Sequence, residues 1–208
     1  MKIILSDKFM LNEAVLEKEM TVEIRPASSV YDQYCIIRDL PDFINAGKEV
    51  PDLHSFALGR AKYYVGQMLT LMQSYRTAEV ETVTDGTKTV PAAMTPGWSD
   101  KRKAKEEFMP HHIEITKVDF KRLSEFTEDE MRHCGIIHSL IGAEDIETGE
   151  QGDFTFAVAN LRNGTLKLSY TVFTKVEDAF QAYVKCRFGN AVLKENPYMY
   201  LYHFKLIN

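Results

Sequence analysis

The chain is poor in the residues that announce covalent or cofactor chemistry. Its three cysteines, Cys35, Cys134 and Cys186, are isolated, odd in number and without C-x-x-C spacing. Neither a disulfide framework nor a zinc knuckle is suggested, and a reducing cytoplasm fits. No apolar run approaches the length needed to cross a bilayer, and the short one at the start, Met1 to Leu5, is too brief for a signal sequence. A soluble, cytoplasmic protein without membrane partners is the expectation. Positive charge is not in excess: 25 Lys and Arg against 30 Asp and Glu give a formal net charge of -5. Coating nucleic acid by charge alone is thereby opposed, because that affinity comes from neutralising phosphates, so any such binding needs a local basic patch. There is no P-loop, nucleophile elbow, glycine-rich phosphate cradle, internal repeat or low-complexity tract, and no cofactor is implied.

What is present suffices for a core: 208 residues at 45% hydrophobic content fit one domain over 1–208, with insertions near 27–64 and 77–96. The sharpest local signals lie between Trp98 and Ile137. Pro110 lacks an N–H and suits a strand entry, after which Ile113 and Ile115 alternate with Glu114 and Thr116. Val118 and Phe120 continue in the opposite parity, which predicts a bulge near Thr116 and Lys117 in a curved sheet. Thr127-Glu128-Asp129-Glu130 is a capping box and Gly135 a left-handed stop, so a short helix is predicted over Glu128 to Cys134.

The rest of the chain reads as follows. A short strand, Lys2 to Leu5, leads to a helix capped by Asp7 whose apolar side is Phe9, Met10, Ala14 and Val15. Thr21 to Arg25 alternates as a strand and stops at Pro26, which makes the helix-to-strand junction from Lys18 to Arg25 a compact place for a ligand. Ala27 to Tyr64 is an insertion with one or two short helices, and Met68 to Tyr75 a buried strand. Asp85-Gly86 and Asn163-Gly164 each predict a hairpin, and Gly142 to Asp153 an acidic loop. Thr174 to Glu177 is a second capping box opening a helix with Val176, Ala179, Phe180, Tyr183 and Val184 inside and Gly189 at its end. Tyr198 to Ile207 carries apolar groups on both faces, as a central strand does. With six or seven strands, two clear helices and no βαβ alternation, the fold class is α+β with a small mixed barrel.

Three segments in this order resemble the ASCH superfamily of the PUA-like fold, in its bacteriophage and prophage form. Ala14 to Arg25 looks like the family's G-x-K-x-x-E-x-R motif. Gly97-Trp98 through Met109-Pro110, Arg122-Leu123 and Gly135-Ile136 is similar to its M-P, strand, R-L, acidic-helix, G-I run. Asp178-Ala179-Phe180 with Asn196-Pro197-Tyr198 is similar to its A-F helix and closing strand. The resemblance covers roughly two-thirds of the chain and implies a β-barrel with flanking helices whose cleft recognises RNA or a modified nucleoside. Some relatives are amidohydrolases acting on acetylated cytidine through the motif lysine, the adjacent threonine and a later glutamate. Here the motif departs: Lys18 stands at the glycine position, Met20 at the lysine and Gln73 at the glutamate, while Thr21, Glu23 and Arg25 fit. A thioether is no basic amine and an amide no carboxylate base, so catalysis is not expected.

The expected ligand-binding residues are therefore Lys18, Thr21, Glu23, Arg25 and Gln73. Glu23 and Arg25, two apart on a strand, point the same way and can fix a polar edge; a surface ion pair is the plainer alternative. Trp98 with Lys101, Arg102, Lys103 and Lys105 could flank the cleft and bind RNA, against the commoner reading of a solvated face. Adjacent His111 and His112 face opposite ways, and with His133 and Cys134 offer no chelating spacing, so no metal is expected. The leading expectation is a non-catalytic protein binding RNA or a nucleotide-like ligand. A surviving hydrolase and a phage protein-interaction module are the alternatives.

Overall fold

A computed structural model describes residues 1–39, 52–144, 151–162 and 165–207. In chain order the strands are β1 (Lys2–Ile3), β2 (Val22–Pro26), β3 (Met68–Leu71), β4 (Thr82–Asp85), β5 (Lys88–Pro91), β6 (His112–Arg122), β7 (Ile137–Glu144), β8 (Gln151–Arg162), β9 (Thr165–Phe173) and β10 (Tyr198–Ile207). The helices are α1 (Leu11–Leu16), α2 (Ser28–Arg38), α3 (Leu53–Leu58), α4 (Glu128–Arg132), α5 (Val176–Phe188) and α6 (Ala191–Glu195). This is mixed α+β. Five strands form the main sheet in the order β1-β3-β6-β10-β2, β7-β8-β9 form a meander, and β4-β5 a hairpin. No ladder joins β1 to β2 among the described residues, so the small barrel expected from the sequence is not shown. None of the described helices is long and apolar enough to cross a membrane.

The main sheet is built around β10, which lies between β6 and β2 and is buried on both faces through Met199, Tyr200, Leu201, Tyr202 and Phe204. Its alternation of aromatic and aliphatic side chains is that of a strand covered on both sides. Helix α3 and the segment after it cover one face: the Tyr200 hydroxyl donates to the Ala57 carbonyl at 2.7 Å, and the Lys62 amide donates to the Tyr202 hydroxyl at 3.0 Å. Tyr31 of α2 stacks on Tyr198 of that same face, with ring centres 4.7 Å apart. On the opposite face Lys121, paired with Met199 across the ladder, reaches Glu130 of α4. His203 pairs with Lys117 and Phe204 with Ile115, leaving Thr116 as the extra residue of a bulge. The change of parity in β6 is thus absorbed where the sequence demanded it.

Helix α5 carries the core to the meander. Its Phe180 ring lies 5.3 Å from Phe126, and its Tyr183 ring 5.3 Å from Phe9 and 5.7 Å from Phe156 of β8. All five residues expected on its inner side are buried. Its start differs, because Lys175 rather than Thr174 takes the N-cap in extended backbone and makes no side-chain cap, so the second capping box does not form. A smaller cluster of Met72, Tyr75, Val83, Ala92, Ala104 and Met109 packs under the β4-β5 hairpin.

Other expectations shift by a few residues. The helix expected from Asp7 is broken: a 3-10 turn, Asp7–Phe9, is followed by Met10 at φ 50 before α1 begins. Both ends of the expected loop Gly142 to Asp153 are strand, and 145–150 lies outside the described residues. Gly152 misleads because it is a close-approach glycine: a Cβ there would meet the Phe173 backbone carbonyl at 2.6 Å. The Asn163-Gly164 turn also falls outside the described residues, although the pairing on either side runs up to it at Arg162 and Thr165.

The first capping box forms as expected. Thr127 Oγ1 accepts from the Glu130 amide at 3.3 Å, and Glu130 Oε2 accepts from the Thr127 amide at 2.8 Å. Burial pushes the Glu130 carboxyl up, but the Lys121 ammonium at 2.6 Å and the bonds to Thr127 outweigh it and hold it below its ordinary value. A carboxyl depressed by folding stabilises fully above its unfolded value and loses that contribution as the pH falls toward the folded one. Glu130→Gln should therefore cost about 1–3 kcal/mol at neutral pH. It should also flatten the fall in melting temperature below the ordinary carboxylate range, as thermal unfolding from pH 7 to pH 3 would reveal.

Candidate functional site

The edge strand β2 places Glu23 opposite Tyr202 and Arg25 opposite Tyr200, so all four side chains share one face of the sheet. Glu23 is buried, at 2% exposure, where an unpaired carboxylate would be costly. Its compensation comes from a helix far along the chain: Arg187 Nη2 of α5 donates to both Glu23 oxygens, at 2.8 and 3.0 Å. Arg187 Nη1 donates to the Tyr183 hydroxyl at 2.6 Å. Burial opposes the Arg187 charge, but Glu23 and Tyr183 more than restore it, so the guanidinium is firmly protonated. Burial likewise pushes the Tyr183 phenol and the Cys134 thiol up, leaving both as neutral groups beside the pair.

Arg25 stands differently. Its Nε is 3.5 Å from Glu23 Oε1 and makes no hydrogen bond. The guanidinium lies over the Tyr63 ring, 5.4 Å from its centre, and the side chain keeps 29% exposure. The Tyr63 hydroxyl is buried without a partner. One carboxylate thus faces two guanidiniums, and since Arg187 already occupies both of its oxygens, a positive charge is left at the accessible side. An oxyanion is the natural complement.

Of the remaining expected ligand residues, Gln73 does not gather here, and Lys18 and Thr21 lie just before β2. Thr21 sits at the head of β2, where its amide donates to the His133 carbonyl at 3.1 Å and its carbonyl accepts from the Phe204 amide at 2.9 Å. Lys18, at φ 63, borders a cleft of about 400 Å³ with Glu19, Arg132, His133 and His138. Met20 is buried in the main core. Gln73 follows β3, separated from β2 in the sheet by β6 and β10. It is buried, its Oε1 has no partner, and no hydrogen bond joins it to Glu23 or Arg25 among the described residues.

The basic stretch belongs with the smaller cluster. Trp98 is half-buried against it. Lys101 is itself buried and its ammonium donates to the Leu5 carbonyl, while Lys105 Nζ donates to the Thr84 carbonyl at 3.1 Å. Lys103 lies 4.0 Å from Asp100, and Arg102 is exposed. The sequence run of four cations therefore does not present four side chains to one ligand.

Asp119, Glu130 and His203 bring ligand atoms within 4.8 Å of one another, the one such grouping among the described residues. Each carboxylate is already paired: Lys117 is 2.8 Å from Asp119 and Lys121 is 2.6 Å from Glu130, with His203 Nε2 3.0 Å from Asp119. A cation would have to displace both ammonium groups. The arrangement neutralises itself without one.

Reading the sequence alone missed Arg187 and Tyr63, the two groups that define the surroundings of Glu23 and Arg25. The only sequence trace of Arg187 is its position four residues after Tyr183 on a helix whose inner face is otherwise apolar. Comparison with protein-family models, with curated proteins and with solved structures finds no match.

Truncating Arg187 would leave Glu23 buried with only the offset Arg25 nearby. Arg187→Met should lower the unfolding free energy by about 3 kcal/mol, and the double change Glu23→Gln with Arg187→Met should recover part of it. Urea unfolding of the three variants measures both.

Proposed function

We propose that the protein is a non-catalytic, ASCH-type binding protein of the phage or prophage kind, and that it takes RNA or a nucleotide-like ligand at Arg25. The reading rests on one observation above the others: a partly exposed guanidinium over an aromatic ring, with an unbonded Nε, beside a carboxylate whose oxygens another arginine already holds. The Nε itself is buried, and the exposed part of the side chain can meet a phosphate without a strong ion pair being broken first. Glu23 then acts as a positioning group, holding Arg25 against the sheet, and Tyr63 limits where the side chain can swing. The resemblance of Ala14 to Arg25 to the family motif supports the same reading.

Hydrolysis is disfavoured at two of the three positions the related enzymes use, Met20 and Gln73, while Thr21 keeps its hydroxyl. Met20 offers a buried thioether and Gln73 an amide, neither of which replaces the amine or carboxylate of the related enzymes, and both Glu23 oxygens accept from Arg187. A short RNA should bind with an affinity that falls with salt. Arg25→Ala should weaken it about tenfold and lower the salt slope by roughly 0.7, the share of a single phosphate on a single strand. Incubation with acetylated cytidine should release no acetate. Affinity indifferent to salt and to Arg25, or measurable acetate release, overturns the proposal.

A further inference from the structure

Next to Arg25 the chain from Arg60 to Tyr64 alternates in the manner of a strand: Arg60, Lys62 and Tyr64 are exposed, whereas Tyr63 is fully buried and Ala61 partly so. The backbone of this segment is clamped to the sheet. The Lys62 amide donates to the buried Tyr202 hydroxyl at 3.0 Å, and the Tyr64 amide donates to Gln67 Oε1 at 3.1 Å. Gly66, at φ 82, makes the turn, its amide donating to the Ile115 carbonyl at 2.8 Å. These bonds are made by backbone amides, so they do not engage the polar ends of the outward side chains.

Those side chains have little to do within the chain. The Lys62 ammonium lies 5.2 Å from the centre of the Tyr63 ring, the ring that also carries Arg25, so the two cations share one aromatic support. The Arg60 guanidinium lies 3.6 Å from the centre of the Phe56 ring, and its charge is felt at the Tyr200 hydroxyl, whose ladder partner is Arg25. Neither Arg60 nor Lys62 has a carboxylate within ion-pair distance among the described residues, in a chain where acidic groups outnumber basic ones. Tyr64 is 68% exposed, a large ring kept in water beside them. Cations stacked on rings keep their hydrogen-bonding edges outward, and an exposed ring gives a base a face to stack on.

We propose that Arg60, Lys62 and Tyr64 extend the Arg25 site into a track for single-stranded RNA. The two cations take successive backbone phosphates and Tyr64 stacks an unpaired base. This rests on Arg25 being a ligand contact, but it makes a separate claim about a segment with no counterpart in the motif resemblance. A single strand is specified over a duplex because an exposed ring has stacking partners only where bases are unpaired.

The test uses the full chain and a fluorescein-labelled short oligouridine, with affinity measured by anisotropy at two salt concentrations. Thermal melts of every variant confirm that it is folded, as expected for exposed side chains. The double variant Arg60→Ala with Lys62→Ala should bind about tenfold or more weakly and lower the log–log salt slope by roughly 1.4, twice the single-strand value per phosphate. Tyr64→Ala should weaken binding about fivefold or more with the slope unchanged, and Tyr64→Phe should retain it. A charge-matched control, Lys185→Ala with Lys194→Ala on exposed positions of α5 and α6, should stay within about twofold of the parent chain. A base-paired RNA of equal length should compete poorly.

If the double variant matches the control while Arg25→Ala still weakens binding, the track is overturned and the Arg25 site stands. Loss of effect in all three, or absence of salt-sensitive binding by the parent chain, overturns both. Equal competition by the duplex, or an unchanged Tyr64→Ala affinity, overturns the single-strand assignment.

Discussion

The buried carboxylate of Glu23 is the constraint around which the rest is arranged. An ionised group in the face of a sheet is tolerable only if an opposite charge is delivered to it with good geometry. Here that charge arrives from Arg187, near the end of α5, so the helix must lie against the edge strand with its last turn at Glu23. The same helix carries Phe180 and Tyr183 into the aromatic contacts that join the main sheet to the meander. Placement of α5 by its apolar face and by its terminal arginine is a single requirement met twice. The edge of β2 is dressed by the same neighbourhood: the amides of Thr21 and Val22 both donate to the His133 carbonyl, so the start of that edge does not present unpaired donors.

Charge bookkeeping at this junction explains why Arg25 is not simply the partner of Glu23. Two residues apart on a strand, the pair reads from sequence as a local ion pair, and for an exposed pair that would be the end of the matter. Burial changes the competition. Both oxygens go to the largely buried Arg187, and Arg25 is left at a longer distance, leaning on Tyr63. The local sequence supplies a carboxylate and a cation, which cancel; the tertiary structure supplies a second cation and so leaves the group net positive.

Much of the architecture was legible in the sequence, and what was not has a physical cause. The β6 bulge, the Thr127 capping box, the inner face of α5 and the two-sided burial of β10 follow from rules confined to a dozen residues, and they stand as read. Errors arise where a residue does its work at long range. Gly152 resembles a loop residue locally but is required by the approach of Phe173 twenty-one positions later. Strand β7 was hidden because its run from Ile137 follows a glycine stop and its partner strand begins after an acidic stretch. At the candidate site the asymmetry is sharper. Glu23 and Arg25 were visible as a pair, whereas Arg187 and Tyr63 come from elements 164 and 38 to 40 residues away and carry no local signature. Lys101 failed in the opposite direction: four cations within five residues look like a surface patch, yet one of them turns inward to the Leu5 carbonyl.

The contrast between the two basic regions shows what a sequence count of charges leaves out. Lys101, Lys103 and Lys105 form the denser cluster along the chain, but each is near a protein acceptor: Leu5, Asp100 and Thr84 respectively. Binding a phosphate there would exchange existing interactions for new ones, and the gain would be the difference between them. Arg60 and Lys62 are fewer and separated by an alanine, yet they rest on rings, and among the described residues no carboxylate pairs with either. Aromatic support holds the cations in place while leaving their polar edges in water, which suits reversible recognition better than a satisfied salt bridge does. By that argument the stretch with the fewer charges is the better seat for an anion, and the preference comes from what surrounds the cations rather than from how many there are.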